Sequence, residues 1–301
     1  MPLPLLAPAG PPGRLDLSGY AKELRLLRAA LALPDPAGAE AVKAALERCG
    51  EEQWASHNSW SKVAGRSKSG VLSAALRGAP PGGGILEIGT YCGYTAVCMA
   101  AALPDVRVTS LEVDPVHVVV ARSVVALAGL TERIDVWTGH SKYLIPRLAE
   151  RRGGRRGPRR PFSALFMDRW GSQYHEDFAL LEASGALGPG AVVAADNVLW
   201  TGAALFLWRA LASGSERTKA VRVRELATGS EDFMSVSIHR RCPPVAEEPP
   251  RDLMELHEEA ERVRVRVFGA GRKISPGERA EFAAATQRQM CLALDRLGVA
   301  V

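Results

Sequence analysis

The sequence predicts an α/β fold, a mostly parallel sheet with helices on both faces, and three observations predict it. Short apolar runs at residues 85–88, 106–111, 134–137, 162–167 and 191–195 read as strands. Helix-periodic stretches at 95–102, 115–127, 143–151 and 174–184 separate them. The strands are continuous apolar runs rather than alternating ones, as burial on both faces requires. Ligands of such sheets gather at the carboxyl ends of the strands.

Ahead of the sheet, residues 18–33 place apolar side chains at helical spacing, and Asp35-Pro36 supplies an N-cap followed by a first-turn proline. Two N-terminal helices follow from this, the second ending near Cys49-Gly50. A polar segment rich in Ser, Lys and Gly, 56–70, precedes a further helix over 71–77 and the punctuation Pro80-Pro81-Gly82-Gly83-Gly84. After the last parallel strand, the β-rich pair 220–226 and 233–239 is expected to close the sheet antiparallel. These elements define a domain over 18–241, preceded by a disordered leader, 1–17. A Pro-rich linker, 242–250, then leads to a helical C-terminal extension, 251–301. Within the extension, Ser275-Pro276-Gly277-Glu278 has the form of a capping box, and Phe282, Met290, Leu292 and Leu294 form an apolar stripe. Such helices either pack on their own domain or serve a partner or self-association.

With 301 residues and 47% hydrophobic content, there is enough apolar material for one large core or two modest domains. No apolar run approaches the roughly 20 residues of a membrane-spanning helix, and the proline-containing N-terminus lacks a basic signal region. Five scattered cysteines show neither zinc spacing nor the density of a secreted scaffold, so reduced thiols and a cytoplasmic location are expected. The formal charge of +5 is concentrated: six arginines lie between Arg151 and Arg160. Without them, 32 basic residues face 33 acidic ones. A Gly- and Arg-rich run of this kind is a solvated loop or a nonspecific anion contact. It contains no aromatic residue for base stacking, so no specific nucleic-acid partner is expected.

Two groups of residues carry chemistry. Ile85-Leu-Glu-Ile-Gly-Thr-Tyr-Cys-Gly-Tyr-Thr95 runs from strand through a glycine-containing turn into a helix, where Gly89 and Gly93 let backbone approach a ligand. Glu112 ends the next strand, where an acid accepts hydrogen bonds from both ribose hydroxyls of an adenosyl group. An acidic residue at Glu87 would repel a pyrophosphate but pair with an ammonium, which favours S-adenosylmethionine over NAD. Glu87 could instead be a buried carboxylate satisfied by backbone amides. The second group is Asp168, after one strand, with Asp196 and Asn197 after another. Two carboxylates and an amide oxygen on one sheet edge suit a hard octahedral cation such as Mg²⁺. Both aspartates could also be helix N-caps.

Together these residues resemble the catechol O-methyltransferase family over about residues 20–240. The matching segments are LEIGTYCGYTAV, Ser110-Leu-Glu-Val-Asp-Pro115, Gly139-His-Ser141, Phe166-Met-Asp-Arg-Trp170 and Ala195-Asp-Asn-Val-Leu199; residues 34–49 and Glu52-Gln-Trp54 also match its helical start. The resemblance implies a Rossmann-like seven-stranded methyltransferase sheet and methyl transfer from S-adenosylmethionine to a catechol or related aromatic diol. It assigns Asp168, Asp196 and Asn197 to Mg²⁺, Glu112 to the ribose, Glu87, Tyr91 and Thr95 to the methionine part, and Ser141 to the adenine. Gly89, Val113 and Gly139 complete the expected cofactor contacts. Arg169 stands where the family has a histidine near the adenine, Trp170 forms a wall of the catechol slot, and Glu225 receives the second hydroxyl. Two positions depart from the family: Gly171 replaces the lysine that serves as general base, and Thr201 replaces a proline. His175, one helical turn on, is a conceivable substitute base. A noncatalytic relative with a binding or assembly role is the alternative that the missing lysine raises.

Overall fold

The computed structural model describes residues 17–153, 161–199, 202–212, 218–240, 248–268 and 275–296. The leader up to residue 16, the arginine-rich stretch 154–160, Thr201 and the linker residues 241–247 lie outside them.

Seven strands form one sheet: β1 (Ile85–Ile88), β2 (Val108–Glu112), β3 (Ile134–Thr138), β4 (Phe162–Met167), β5 (Leu187–Ala195), β6 (Lys219–Arg224) and β7 (Glu231–Ile238). Their order is β3-β2-β1-β4-β5-β7-β6. The first five run parallel and β7 is antiparallel to both β5 and β6, as the apolar runs and the closing pair predict. The chain reverses its winding between β1 and β4, which opens a crevice at their carboxyl ends.

Helices α1 (Ala21–Leu31), α2 (Gly38–His57), α3 (Gly65–Leu76), α4 (Tyr94–Ala102) and α5 (Pro115–Leu127) supply Leu26, Leu46, Leu72, Val97 and Val124 to one buried cluster. On the opposite face, α6 (Ser141–Gly153), α7 (Tyr174–Ala183) and α8 (Ala204–Ala212) supply Ile145, Phe178 and Phe206 to a second. Helices α9 (Arg251–Phe268) and α10 (Pro276–Arg296) add Leu253, Met290 and Ala293 to that second cluster, so the extension packs on its own sheet layer. The Ser275–Glu278 capping box forms reciprocally: the Ser275 amide donates to Glu278 Oε2 at 2.8 Å and the Glu278 amide to Ser275 Oγ at 3.2 Å. The expected stripe is only partly inward, since Met290 is buried and Leu292 is 65% exposed.

Among the boundaries that differ from the sequence reading are the start of β5, at Leu187 and not at 191, and those of α2 and α3. Helix α2 continues through Gly50 to His57, because that glycine packs under the following segment; a Cβ there would meet Ser61 Oγ at 3.0 Å. It starts at Gly38, with Ala37 and not Asp35 in the N-cap position. Helix α3 starts six residues earlier than expected, at Gly65, and its polar first turns are helical because Gly65, Lys68 and Ser69 face inward, in phase with Leu72 and Leu76. No described helix is long and apolar enough to cross a membrane.

Candidate active site

A cavity of about 460 Å³ opens at the carboxyl edge of the sheet. That volume falls within the roughly 300–1,000 Å³ typical of small-molecule clefts. Its lining includes Gly89, Tyr91, Glu112, Val113, Gly139, Ser141 and Arg169 towards β1–β3, and Asp168, Trp170, Asp196, Asn197 and Glu225 towards β4–β6. Most of the residues expected from sequence therefore meet in one space.

At the β1–β2 end, the turn after β1 is built on Gly89, whose φ of +100° and close approach admit no side chain: a Cβ would lie 2.0 Å from the Asp168 carbonyl oxygen. Tyr91 continues the turn with φ +49°. Glu112 is anchored by the Tyr91 amide at 2.8 Å and the Asp114 amide at 2.9 Å. A carboxylate offers about four acceptor positions, so two amides leave capacity for hydroxyls. His117, on α5, stands 3.7 Å from Glu112 and 3.7 Å from Glu23 of α1. Burial pushes its pKa down, but the two carboxylates outweigh this and raise it to about 9. The Glu112 carboxyl is pushed up by burial and, more strongly, down by His117 and the backbone amides, so its pKa is lowered overall. An anionic Glu112 beside an imidazolium is the state at neutral pH. The first helix reaches the site too: the Tyr91 hydroxyl donates to Glu23 at 2.9 Å.

Glu87 and Thr95 are placed differently from expectation. Strand alternation points Glu87 to the same face as Ile85, under α4, rather than to the cavity, and neither residue lines it. The fully buried Glu87 accepts hydrogen bonds from the Thr95 and Ser110 hydroxyls, and not from backbone amides as the buried-carboxylate alternative had it. Burial pushes its pKa up to about 8.

Beyond β3, Gly139 (φ +144°) turns the chain into α6 at Ser141. Arg169 Nη1 donates to Ser141 Oγ at 2.6 Å and to Asp177 Oδ2 at 2.9 Å, while Nη2 donates to Gln173. Ser141 in turn donates to Asp177 Oδ1 at 2.7 Å. This closed network fixes a polar wall, with the exposed side chain of Val113 on the apolar side of the cavity.

The acidic end follows from strand register. β4 and β5 pair with Met167 opposite Ala195, so the next residues, Asp168 and Asp196, emerge level on one edge. Neither caps a helix: the 3₁₀ turn after Asp168 (Gly171–Gln173) has Trp170 as its N-cap, and Asp196 Oδ1 accepts the Asn197 amide at 2.9 Å. Asn197 takes φ +54°, a conformation asparagine tolerates. Tyr174, fully buried, ties the two loops together with its one hydroxyl proton shared between the Arg169 and Asp196 carbonyls, each 3.0 Å away.

Two residues that the sequence reading missed complete this end. Lys68, on α3, places its ammonium 2.7 Å from Asp196 Oδ2 and 2.8 Å from Asp232 Oδ2, and in contact with Glu225. Asn197 Nδ2 donates to Asp232 at 2.5 Å and lies 3.4 Å from Glu225. One oxygen from each of Asp196, Glu225 and Asp232 lies within 4.8 Å of the others, a grouping that could hold a metal ion; here the Lys68 ammonium stands among them. Burial disfavours the charged lysine, yet the surrounding carboxylates raise its pKa well above the ordinary value. Lys68 is thus a fixed cation and not a base. Both residues leave a faint sequence signal: Lys68 falls on the apolar phase of α3, and Asp232 shares its strand face with Met234.

Asp168 differs from its neighbours. It lines the cavity half-buried, with no hydrogen bond to its carboxylate oxygens among the described residues, and burial raises its pKa. The oxygens of Asp168, Asp196 and Asn197 are a hard donor set that fits a divalent cation. His175 does not fit a base at this site. Its ring packs at 4.8 Å on His257 of α9, its Nδ1 lies 2.9 Å from the Ser172 carbonyl, and it does not line the cavity.

The sequence model of the O-methyltransferase family matches residues 74–228. The bovine catechol O-methyltransferase is 34% identical over 198 residues, covering 65% of this chain and 68% of that protein. The mouse catechol O-methyltransferase is 33% identical over 193 residues, covering 64% and 68%. Among solved structures, the cofactor-bound Rv0187 from MTB superposes with a TM-score of 0.52 at 23% identity, covering 68% of this chain and 90% of that one, which shows the shared fold. By the family match and these relatives, the chain belongs to the O-methyltransferases, within the catechol O-methyltransferase family.

Proposed function

We propose that the protein moves a methyl group from S-adenosylmethionine to one hydroxyl of a catechol-type acceptor, with Mg²⁺ held by Asp168, Asp196 and Asn197. The observation that carries this reading is that a single cavity has Glu112 at one end and Asp168 with Asp196 at the other, so donor and acceptor can share one space. In support, the relatives are named for catechol methylation.

Glu112 accepts the ribose hydroxyls, Tyr91, Val113 and Gly139 border the adenosyl group, and the Ser141–Arg169 network borders the adenine. Trp170 flanks the acceptor ring, and Glu225 accepts the hydrogen of the hydroxyl that is not methylated. When bound, the cation would lower the pKa of an acceptor hydroxyl and help to orient the acceptor. Gly171 offers no base and Lys68 is held protonated by its three carboxylates, so the hydroxyl proton passes to water or hydroxide. A lost general base slows such transfers by about 10² to 10⁴-fold without abolishing them. The acceptor must still be held in line with the methyl group, which Trp170 and the edge residues provide.

The test is methyl transfer from S-adenosylmethionine to a panel of catechols, with Mg²⁺ or chelator. Asp168→Ala and Asp196→Ala are each expected to remove metal-dependent transfer while S-adenosylhomocysteine still binds. Full activity in chelator would sink the metal assignment. Tight cofactor binding with transfer to no catechol would overturn the acceptor.

A further inference from the structure

One wall of the cavity comes from outside the family match. Helix α9 begins 23 residues after residue 228, where that match ends, yet its Arg264 lines the cavity together with Trp170 and Gln173. Three contacts seat the helix on the loops that carry Asp168 and Asp196. Ser172, in the turn after Trp170, donates a hydrogen bond to Glu261. His257 packs edge-on against His175, with ring centroids 4.8 Å apart. Gly202, just beyond the Asp196 loop, lies so close that a Cβ on it would sit 2.6 Å from the Ala260 Cβ.

These contacts also orient the arginine. Glu261 takes Nε at 3.0 and 2.9 Å and Nη2 at 2.8 Å, a bidentate grip on one edge of the guanidinium. Nη1 has no hydrogen-bond acceptor among the described residues. A planar fork held along one edge presents its other donors in a fixed direction, which suits a carboxylate. The charge balance points the same way. Lys68 offsets part of the acidic end and a divalent cation would offset more, while Lys62 adds a positive charge to the lining and Arg264 one that it shares with Glu261.

We infer that α9 is a wall of the acceptor site and that Arg264 makes it selective for acceptors bearing a carboxylate substituent on the ring. The inference rests on the acceptor reading above and deepens it. Amine-bearing catechols would meet the same guanidinium as a repulsion, so the discrimination has both an attractive and a repulsive side.

The test is calorimetric titration of the full-length protein, saturated with S-adenosylhomocysteine and Mg²⁺, with 3,4-dihydroxybenzoate, its uncharged amide and unsubstituted catechol. The acid is expected to bind about tenfold more tightly than the amide, a moderate effect for a partly solvated pair that Glu261 already shares. Arg264→Gln should bring acid and amide to equal affinity, and Arg264→Lys, which keeps the charge but loses the fork, should retain part of the preference. Equal binding of acid and amide by the unaltered protein, or a preference that survives Arg264→Gln, would overturn the inference. Binding of none of the three ligands would overturn it together with the acceptor reading. If the preference is present and Arg264-dependent but no ligand is methylated, the acceptor reading falls and only the selectivity of the cavity for carboxylated catechols stands.

Discussion

Replacing Lys68 by methionine removes one buried cation from three carboxylates while keeping nearly the same side-chain volume. The ammonium lies 2.7 Å from Asp196 and 2.8 Å from Asp232, and its side chain is only 3% exposed, so water cannot take its place without opening the site. Breaking a buried ion pair from one side costs about 3–5 kcal/mol, because the remaining charges lose their counter-ion. For a domain of this size that corresponds to a melting temperature lower by about 6–20 °C, at about 2–4 °C per kcal/mol. A divalent cation held by Asp168 and Asp196 brings positive charge to the same carboxylates. Mg²⁺ should therefore raise the melting temperature of Lys68→Met by more than it raises that of the unaltered protein. The assay is thermal unfolding of both proteins in chelator and in a Mg²⁺ series. A melting temperature in chelator within about 2 °C of the unaltered protein would refute the view that Lys68 is the internal counter-ion of this cluster. An equal Mg²⁺ response in the two proteins would refute the electrostatic link between Lys68 and the proposed cation site.

Two further outcomes follow from the other end of the cavity. Gly89→Ala sets a Cβ 2.0 Å from the Asp168 carbonyl at φ +100°, so it should cost more than about 3 kcal/mol in urea unfolding; an unchanged midpoint would mean that the β1 and β4 loops are not in contact. His117 has a pKa raised from 6.5 to about 9 in the folded chain, so its contribution to stability is complete below pH 6.5 and lost as pH climbs through about 9. The loss should be about 1–3 kcal/mol once screening at this half-buried ring is allowed for, and absent in His117→Gln; a variant that follows the same pH curve as the unaltered protein would place the titration elsewhere.

The sheet was legible because its cues are local. Each parallel strand is a short apolar run, and the Asp114-Pro115 start of α5 is read correctly because the cap lies within three residues of what it caps: Asp114 Oδ1 accepts the Val116 amide at 2.8 Å. Where local cues misled, a contact distant in sequence had overridden them. Gly50 looks like the end of a helix but lies inside α2, since a neighbouring segment needs the space of a missing side chain. The Ser- and Lys-rich stretch before Val71 looks like a loop, yet from Gly65 onward it is the first half of α3, because Lys68 has buried partners 128 and 157 residues away.

The same distinction divides the site. Asp168 and Asp196 could be paired from sequence alone, because parallel strands that end in step put the next residues side by side. Glu112 was readable for a similar reason: it closes β2 beside the turn that follows β1. Glu87 was not, since it neighbours Ile88, which lines the cavity, and one residue along a strand is a change of face; its carboxylate ends up against Thr95 and Ser110. Lys68 and Arg264 reach the cavity from α3 and α9, and Asp232 stands behind Lys68 on β7, all on elements whose position depends on how the sheet is closed and covered. The partners of Lys68 are carboxylates supplied by other elements, Asp232 is partnered by that same ammonium, and Arg264 is held by Glu261 in the preceding turn of its own helix. A charged residue at a core phase is the one local trace such a pairing leaves: Lys68 stands four residues before Leu72, and Asp232 two before Met234. Two such traces of opposite sign on elements that the fold class makes neighbours form a joint expectation, because neither charge can be buried without the other. Applied here, that rule pairs Lys68 with Asp232 once α3 is packed against the β6–β7 hairpin, and locates the acidic end of the cavity from its counter-ion rather than from its ligands.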